Sequence, residues 1–163
     1  MQHRAWFLLP LLLFSPLYAH AADLVRLLPD RVGELILVQR IDGPAAQAEV
    51  DKLHGKALPA EASVIGRYAR PSDVGGERPA EVWVSRVASA PEASRQTGLM
   101  VHKMVDNPNS PFRSPRRLDR GGVPVYRFEG MGQVHLIWCE GDLVFWISTA
   151  KKDEQALLAA FRP

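Results

Sequence analysis

The stretch that decides the fold is VPVYRFEGMGQVHLIWCEGDLVFWIS, which runs from Val123 to Ser148. It consists of three apolar runs separated by two short connections, Gly130 to Gly132 and Glu140 to Asp142. Runs of β-branched and aromatic residues between such turns are typical of strands joined as hairpins. The stretch therefore predicts a three-stranded antiparallel meander, and we expect this meander to form the core of the fold.

Strand-like and helix-like segments precede and follow the meander. Apolar, β-branched runs predict strands at Glu34–Ile41, Ser63–Arg70 and Glu81–Val87, with a loop over 71–79. Helical spacing predicts helices over 45–53 (with Gly55 as stop signal), 90–105 and 151–161 (with Thr149 as cap). We therefore predict an α+β fold in which the C-terminal three-strand meander and the earlier strands form a single antiparallel sheet, with two or three helices packed on one face.

The best-defined boundary is the start of the helix that follows Ser89. Ser89 and Glu92 have the spacing of a capping box, in which the hydroxyl accepts from the amide of the third helical residue and the carboxylate reaches back to the Ser89 amide. Gly98 inside this helix costs about 1 kcal/mol relative to alanine. We therefore expect compensating packing at Gly98, or the close approach of another element.

Residues 1–21 have the pattern of a secretory signal peptide. Arg4 precedes an apolar run from Ala5 to Leu17, and Ala19 and Ala21 have the small-residue spacing of a cleavage site. The run is shorter than the roughly 20 residues that a membrane-spanning helix needs. We predict cleavage near Ala21, a single mature domain over residues 22–163 without a membrane span, and a periplasmic or secreted location in a bacterium.

Charge and cysteine content narrow the possible functions. The formal net charge is +2, and loss of Arg4 with the leader leaves +1. A nearly neutral domain has no global electrostatic reason to bind nucleic acid. Cys139 is the single cysteine, so no intrachain disulfide forms. We predict no cofactor and no nucleic-acid partner, and the oligomeric state is left open.

His135 and Cys139 are four residues apart in a predicted strand and so share one face of the sheet. A zinc site requires further ligands, and His54 and His102 lack ligand spacing to this pair. Cys139 also precedes Glu140, which does not favour a reactive thiolate. We therefore predict no metal and interpret both residues as structural.

A Ser-His-acid triad is the remaining enzymatic hypothesis from these residues. Ser85 or Ser94 combined with His102 and Asp106 supplies the residue types, but no G-x-S-x-G motif supports them. We assign no catalytic residue and keep His135 and His102 as the only candidates for chemistry.

Two sets of residues are candidates for a ligand or partner surface. The aromatic set places large rings on both faces of the sheet and consists of Trp83, Tyr126, Trp138 and Trp146. Aromatic rings on both faces predict helices on one and a pocket or partner on the other. The basic set is Arg113, Arg116 and Arg117, in a proline-rich loop that we extend to Arg120. That loop either holds an anionic ligand or is a solvated surface.

Part of the chain resembles families of exported bacterial α+β domains to which no activity is assigned. The residues that carry the resemblance are Ala80–Ser85, Ser89–Ala93, Val125, Tyr126, Gly132, Gln133, His135, Trp138, Gly141, Asp142 and Trp146. The resemblance implies an antiparallel α+β fold and no particular chemistry. The leading hypothesis is a non-enzymatic periplasmic binding or accessory domain for an envelope protein or an apolar or anionic ligand. The alternative is a small cell-envelope hydrolase with a site centred on histidine.

Overall fold

A computed structural model describes residues 23–54, 59–72 and 78–162, without the side chain of His54. In this part of the chain one antiparallel sheet has the strand order β1-β2-β3-β4-β8-β7-β6-β5. The strands are β1 Arg31–Val32, β2 Leu35–Asp42, β3 Ala62–Ala69, β4 Ala80–Arg86, β5 Arg113–Arg120, β6 Val123–Gly130, β7 Gln133–Glu140 and β8 Leu143–Thr149. The predicted α+β class with a single antiparallel sheet is confirmed.

The helices connect or follow these strands. Helix α1 spans Gly43–His54, α2 spans Ala90–Asp106, and a 3₁₀ turn at Lys151–Asp153 leads into α3, Glu154–Phe161. A short helical turn at residues 23–25 precedes β1. In the part of the chain that is described, no helix is long and apolar enough to span a membrane.

Side chains alternate along each strand, and one face of the sheet holds the larger core. Trp138 is fully buried there and stacks on Phe145 with ring centroids 4.7 Å apart. The turn after residue 23 and helix α3 cover this face, because Leu24 and Phe161 belong to the same buried cluster. Trp138 and Cys139 point to opposite faces, as the alternation predicts.

The opposite face carries α1 and α2. In α2, Ala93 packs with Val144 of β8, and Met104 packs with Ile137 of β7. Helix α1 packs on β3, where the Ser63 hydroxyl donates to Gln47 Oε1 at 3.0 Å. The expectation that two or three helices pack on one face is not confirmed as stated, since α1 and α2 lie on this face and α3 lies on the other. Both faces of the sheet carry apolar side chains, so helices or turns must pack on each face to bury them.

Two local expectations require correction. Residues 113–120 are not a loop but edge strand β5, in which Ser114 has φ 53° and the register shifts between Arg113 and Arg116. An edge strand tolerates Pro115 because no further strand needs its missing N–H. Thr149 does not cap the last helix, because it is the buried final residue of β8.

One of the two hydrogen bonds of the predicted capping box at the start of α2 is present. The Glu92 amide donates to Ser89 Oγ at 3.3 Å, which confirms Ser89 as the cap. The Glu92 carboxylate accepts from Arg95 and Gln96 instead of reaching back to Ser89. These contacts lower the Glu92 pKa to about 2, the hydrogen bond from Arg95 being the largest cause.

Some expectations lie outside the described residues. These are the signal peptide in residues 1–21, the stop signal at Gly55 and the centre of the loop over 71–79.

Candidate functional site

The face that carries α1 and α2 has an open groove that neither helix covers. Its volume is about 620 Å³. The floor consists of residues from four adjacent strands, β3, β4, β8 and β7, which contribute Arg67, Trp83, Ser148 and His135 among others. Leu53 of α1 lies on one side and Phe112 on the other. The groove is large enough for a small organic molecule, for which pockets of about 300–1,000 Å³ are usual.

A hydrogen-bonded pair lies at one end of the floor. His135 and Ser148 are directly opposite each other on β7 and β8, and the His135 Nδ1 atom is 2.9 Å from Ser148 Oγ. His135 Nε2 is 3.0 Å from the carbonyl oxygen of Gly130. Both side chains are buried, with 1% of His135 and 8% of Ser148 exposed. The pair therefore has fixed geometry at the base of an open groove.

The protonation of His135 follows from its surroundings. Burial lowers the pKa of His135 below 6.5, and the positive charge of Arg78 acts in the same direction, against a raising effect of the bond to Gly130. The ring is therefore neutral at neutral pH and carries one N–H. Because a carbonyl oxygen can only accept, the proton is on Nε2, and Nδ1 accepts from the Ser148 hydroxyl.

Aromatic side chains enclose the pair. Phe112 contacts the His135 ring edge-on with centroids 4.9 Å apart, and it contacts Trp146 at 5.8 Å. The Trp146 Nε1–H also points at His135 Nδ1, at a long 3.4 Å. Phe112 can approach so closely because residue 130 is a glycine, at which a Cβ atom would lie 2.6 Å from the Pro111 carbonyl oxygen.

The rim of the groove is apolar and exposed. Val38 of β2 is 54% exposed, Leu53 of α1 is 49% exposed and Met131 of the β6–β7 turn is 52% exposed. In the described part of the chain, six large apolar side chains are exposed, and these three converge on the groove from three separate elements. Single exposed apolar residues are ordinary, but a cluster of them around a concavity marks a contact surface.

Met131 also has an unusual backbone conformation. Its φ is 52° and that of Gly132 is 78°, which is the pattern of a type I′ hairpin turn. Asn, Asp or Gly normally occupies the first of these positions, because a left-handed conformation costs other residues about 1 kcal/mol or more. The turn thus places a long apolar side chain at the groove rim in a backbone conformation that is strained for methionine.

The charged groups of the groove leave one cation without a partner among the described residues. Arg67 donates to Glu81 Oε1 and to Gln39 Oε1, each at 2.8 Å, so its charge is compensated. Arg78 contacts no carboxylate of the described residues, although it is close enough to His135 to affect its pKa. The groove therefore combines an apolar rim with a cation near the polar end of its floor.

The structure separates the other candidate surface residues from this groove. Trp83 and Trp146 line it, whereas Trp138 is in the core of the opposite face. Tyr126 is half-buried against the cluster beneath α2. The basic residues Arg113, Arg116 and Arg117 are exposed on β5, at the far edge of the sheet.

The proposed triad residues do not assemble. His102 Nδ1 is 2.9 Å from Asp106 on the exposed side of α2. Ser94 precedes His102 by eight residues, about 12 Å along a helix axis, and Ser85 is hydrogen-bonded to Ser63 instead. Among the described residues, no group of three or more His, Cys, Asp or Glu side chains is arranged to hold a metal ion.

Sequence reasoning missed Ser148, Phe112, Arg78 and Met131. A signal for Ser148 was present, because a tight hairpin turn between Glu140 and Leu143 fixes the register in which residues 135 and 148 lie opposite each other. A signal for Met131 was also present, because a methionine stands before Gly132 in the hairpin turn, where Asn, Asp or Gly is usual. The approach of Phe112 and Arg78 to the floor depends on long-range packing and has no local signature.

Comparison of the chain with protein-family models, with curated proteins and with solved structures found no match.

Proposed function

We propose that the protein is a ligand-binding domain whose groove holds a small molecule with an apolar body and one anionic group. The convergence of Val38, Leu53 and Met131 around a groove floored by Trp83 and Trp146 is the observation that carries this proposal. Burial of apolar ligand surface against these side chains supplies the affinity, at roughly 25 cal/mol per Å². Arg78 supplies the cation that orients the anionic end.

Binding of decanoate, monitored by tryptophan fluorescence, tests this proposal because Trp83 and Trp146 line the groove. We expect a saturable fluorescence change that is weaker with the neutral analogue decanol. Leu53→Ser should weaken binding several-fold, since it removes apolar rim area. Leu99→Ser is the matched control, because Leu99 is 46% exposed on α2 but does not line the groove. Equal effects of the two substitutions would count against the groove as the site.

A small hydrolase is the second candidate, and the contact between Ser148 and His135 favours it. A serine hydroxyl that donates to a histidine, itself oriented by a third group, is the arrangement of an activated nucleophile. The third group here is the neutral carbonyl of Gly130, and the nearby Arg78 disfavours the imidazolium that proton transfer would form. Binding without turnover is therefore the leading proposal.

Hydrolysis of p-nitrophenyl decanoate separates the two candidates. A binding domain gives no release of p-nitrophenol above the rate of the Ser148→Ala variant. Catalysis by the wild-type protein that Ser148→Ala abolishes would establish the hydrolase instead.

The location of the domain is a separate proposal, and it rests on the leader pattern in residues 1–21. We expect the exported protein to begin at Ala22, with the periplasm or the medium as its site of action. Intact-mass measurement of the protein recovered from the periplasm tests this, and a mass that still includes Met1 would contradict it.

A further inference from the structure

We infer that the groove selects ligands in which a secondary amide N–H lies beside the carboxylate, as in an acyl chain joined to an amino acid. The inference rests on the proposed function and names the chemical class of its ligand. Ser148 is the residue that distinguishes such a ligand from a simple fatty acid.

The direction of the hydrogen bonds at His135 and Ser148 is set by their neighbours. The Gly130 carbonyl, 3.0 Å from Nε2, fixes the single proton of the neutral His135 ring on that atom. Nδ1 therefore has only a lone pair, and the Ser148 hydroxyl at 2.9 Å must donate its hydrogen to it. Ser148 has no second hydrogen, so toward the groove it offers only acceptor lone pairs.

These lone pairs have no donor among the described residues. Gln133, the neighbouring amide in the groove, donates to the Pro79 carbonyl at 3.2 Å, and Trp146 Nε1–H is directed at His135. Ser148 is more than nine-tenths buried, so an unpaired acceptor there becomes costly once a ligand excludes water. A bound molecule must therefore bring a donor to this point.

The remaining features of the groove determine what surrounds that donor. The positive charge of Arg78 favours an anionic group of the ligand near the same end of the floor. The exposed apolar rim at Val38, Leu53 and Met131 favours an apolar body for the rest of the ligand. The volume of about 620 Å³ fits a small molecule rather than a folded partner. An apolar chain, a secondary amide and a carboxylate in succession satisfy all three requirements.

The test compares two probes that differ only at the amide nitrogen. N-decanoylglycine has the N–H, and N-decanoylsarcosine has a methyl group in its place, while chain and carboxylate are unchanged. We expect wild-type protein to bind the first about tenfold more tightly, because the second leaves Ser148 unpaired. Isothermal titration calorimetry with the mature chain measures both affinities.

Variants at residue 148 test whether its hydroxyl causes the difference in affinity between the two probes. Ser148→Ala should bind both probes with nearly equal affinity, and Ser148→Thr, which keeps a hydroxyl, should restore the preference. The measurement in wild-type protein is decisive even where a variant does not fold. Equal binding of the two probes by wild-type protein would overturn the inference but leave the proposed function standing. Binding of neither probe, and of no decanoate, would overturn both.

Discussion

His135 Nδ1 lies 2.9 Å from Ser148 Oγ across the β7–β8 ladder, and this contact lies in the floor of the open groove. Both side chains are buried, and both line the floor of the groove. The carbonyl of Gly130 fixes the tautomer of the ring, and the tautomer in turn fixes which hydrogen-bonding capacity Ser148 presents to a ligand. A backbone group that does not line the groove thereby shapes what the groove can recognise.

The first prediction concerns pH and the stability of the fold. Because burial lowers the pKa of His135 below 6.5, the unfolded chain binds this proton more readily than the folded chain does. The stabilising contribution is therefore complete above 6.5 and is lost as the pH falls toward the folded pKa, at a limiting rate of about 1.4 kcal/mol per pH unit. Urea denaturation between about pH 7.5 and about pH 5.5 measures this loss.

His135→Asn is the comparison for that measurement. The variant is less stable at neutral pH because its contacts to Gly130 and Ser148 are altered, but its free energy of unfolding should vary less with pH in the same interval. Parallel pH dependences in wild-type protein and variant would show that another group causes the change.

The second prediction concerns the cap of α2. Ser89→Ala removes the acceptor for the Glu92 amide and should lower the free energy of unfolding by about 0.5–2 kcal/mol. Ser94→Ala is the matched control, since Ser94 is exposed inside the same helix, where alanine is the better helix former. Urea denaturation of both variants should move the two midpoints in opposite directions. A Ser89→Ala midpoint equal to that of wild-type protein would show that the side chain does not cap the helix.

The third prediction concerns Gly98 in the same helix. A Cβ atom at this position would meet nothing within 4 Å, so the glycine is not required by a close approach, as the sequence had suggested it could be. Gly98→Ala should therefore raise the free energy of unfolding by about 0.5–1 kcal/mol. Gly130→Ala provides the contrast, because its Cβ would lie 2.6 Å from the Pro111 carbonyl oxygen and should destabilise the fold. Destabilisation by Gly98→Ala would contradict the open surroundings of that residue.

Most of the sheet could be predicted from the sequence because most of its strands have a recognisable local pattern of apolar and β-branched residues. The runs within β6, β7 and β8 are apolar and end in tight turns, so their pairing follows from neighbouring residues alone. Strand β5 could not be predicted in this way. Its residues are charged and include Pro115, and they form a strand only because β6 presents an edge to pair with.

The groove could be predicted only in part. Alternation predicted large aromatic rings on both faces of the sheet, but it did not show that Trp83 and Trp146 would line the groove while Trp138 is enclosed in the opposite core. The distribution of helices over both faces was also missed, because an amphipathic helix pattern does not specify which face it covers. The site depends on Phe112, which reaches His135 from a loop more than twenty residues away in sequence.

The last prediction concerns Met131, where stability and binding should change in opposite directions. Met131→Asn places a residue that tolerates φ 52° at the first position of the type I′ turn, so we expect the free energy of unfolding to rise by about 0.5–1 kcal/mol. The same change removes an apolar side chain that is half exposed at the groove rim, so affinity for decanoate should fall several-fold. Natural proteins commonly keep strained residues where function requires them, and removal of the strain then lowers activity. Met131→Gly, which also relieves the strain, should behave like Met131→Asn in denaturation and titration. A variant that gains stability and keeps full affinity would show that Met131 does not contact the ligand.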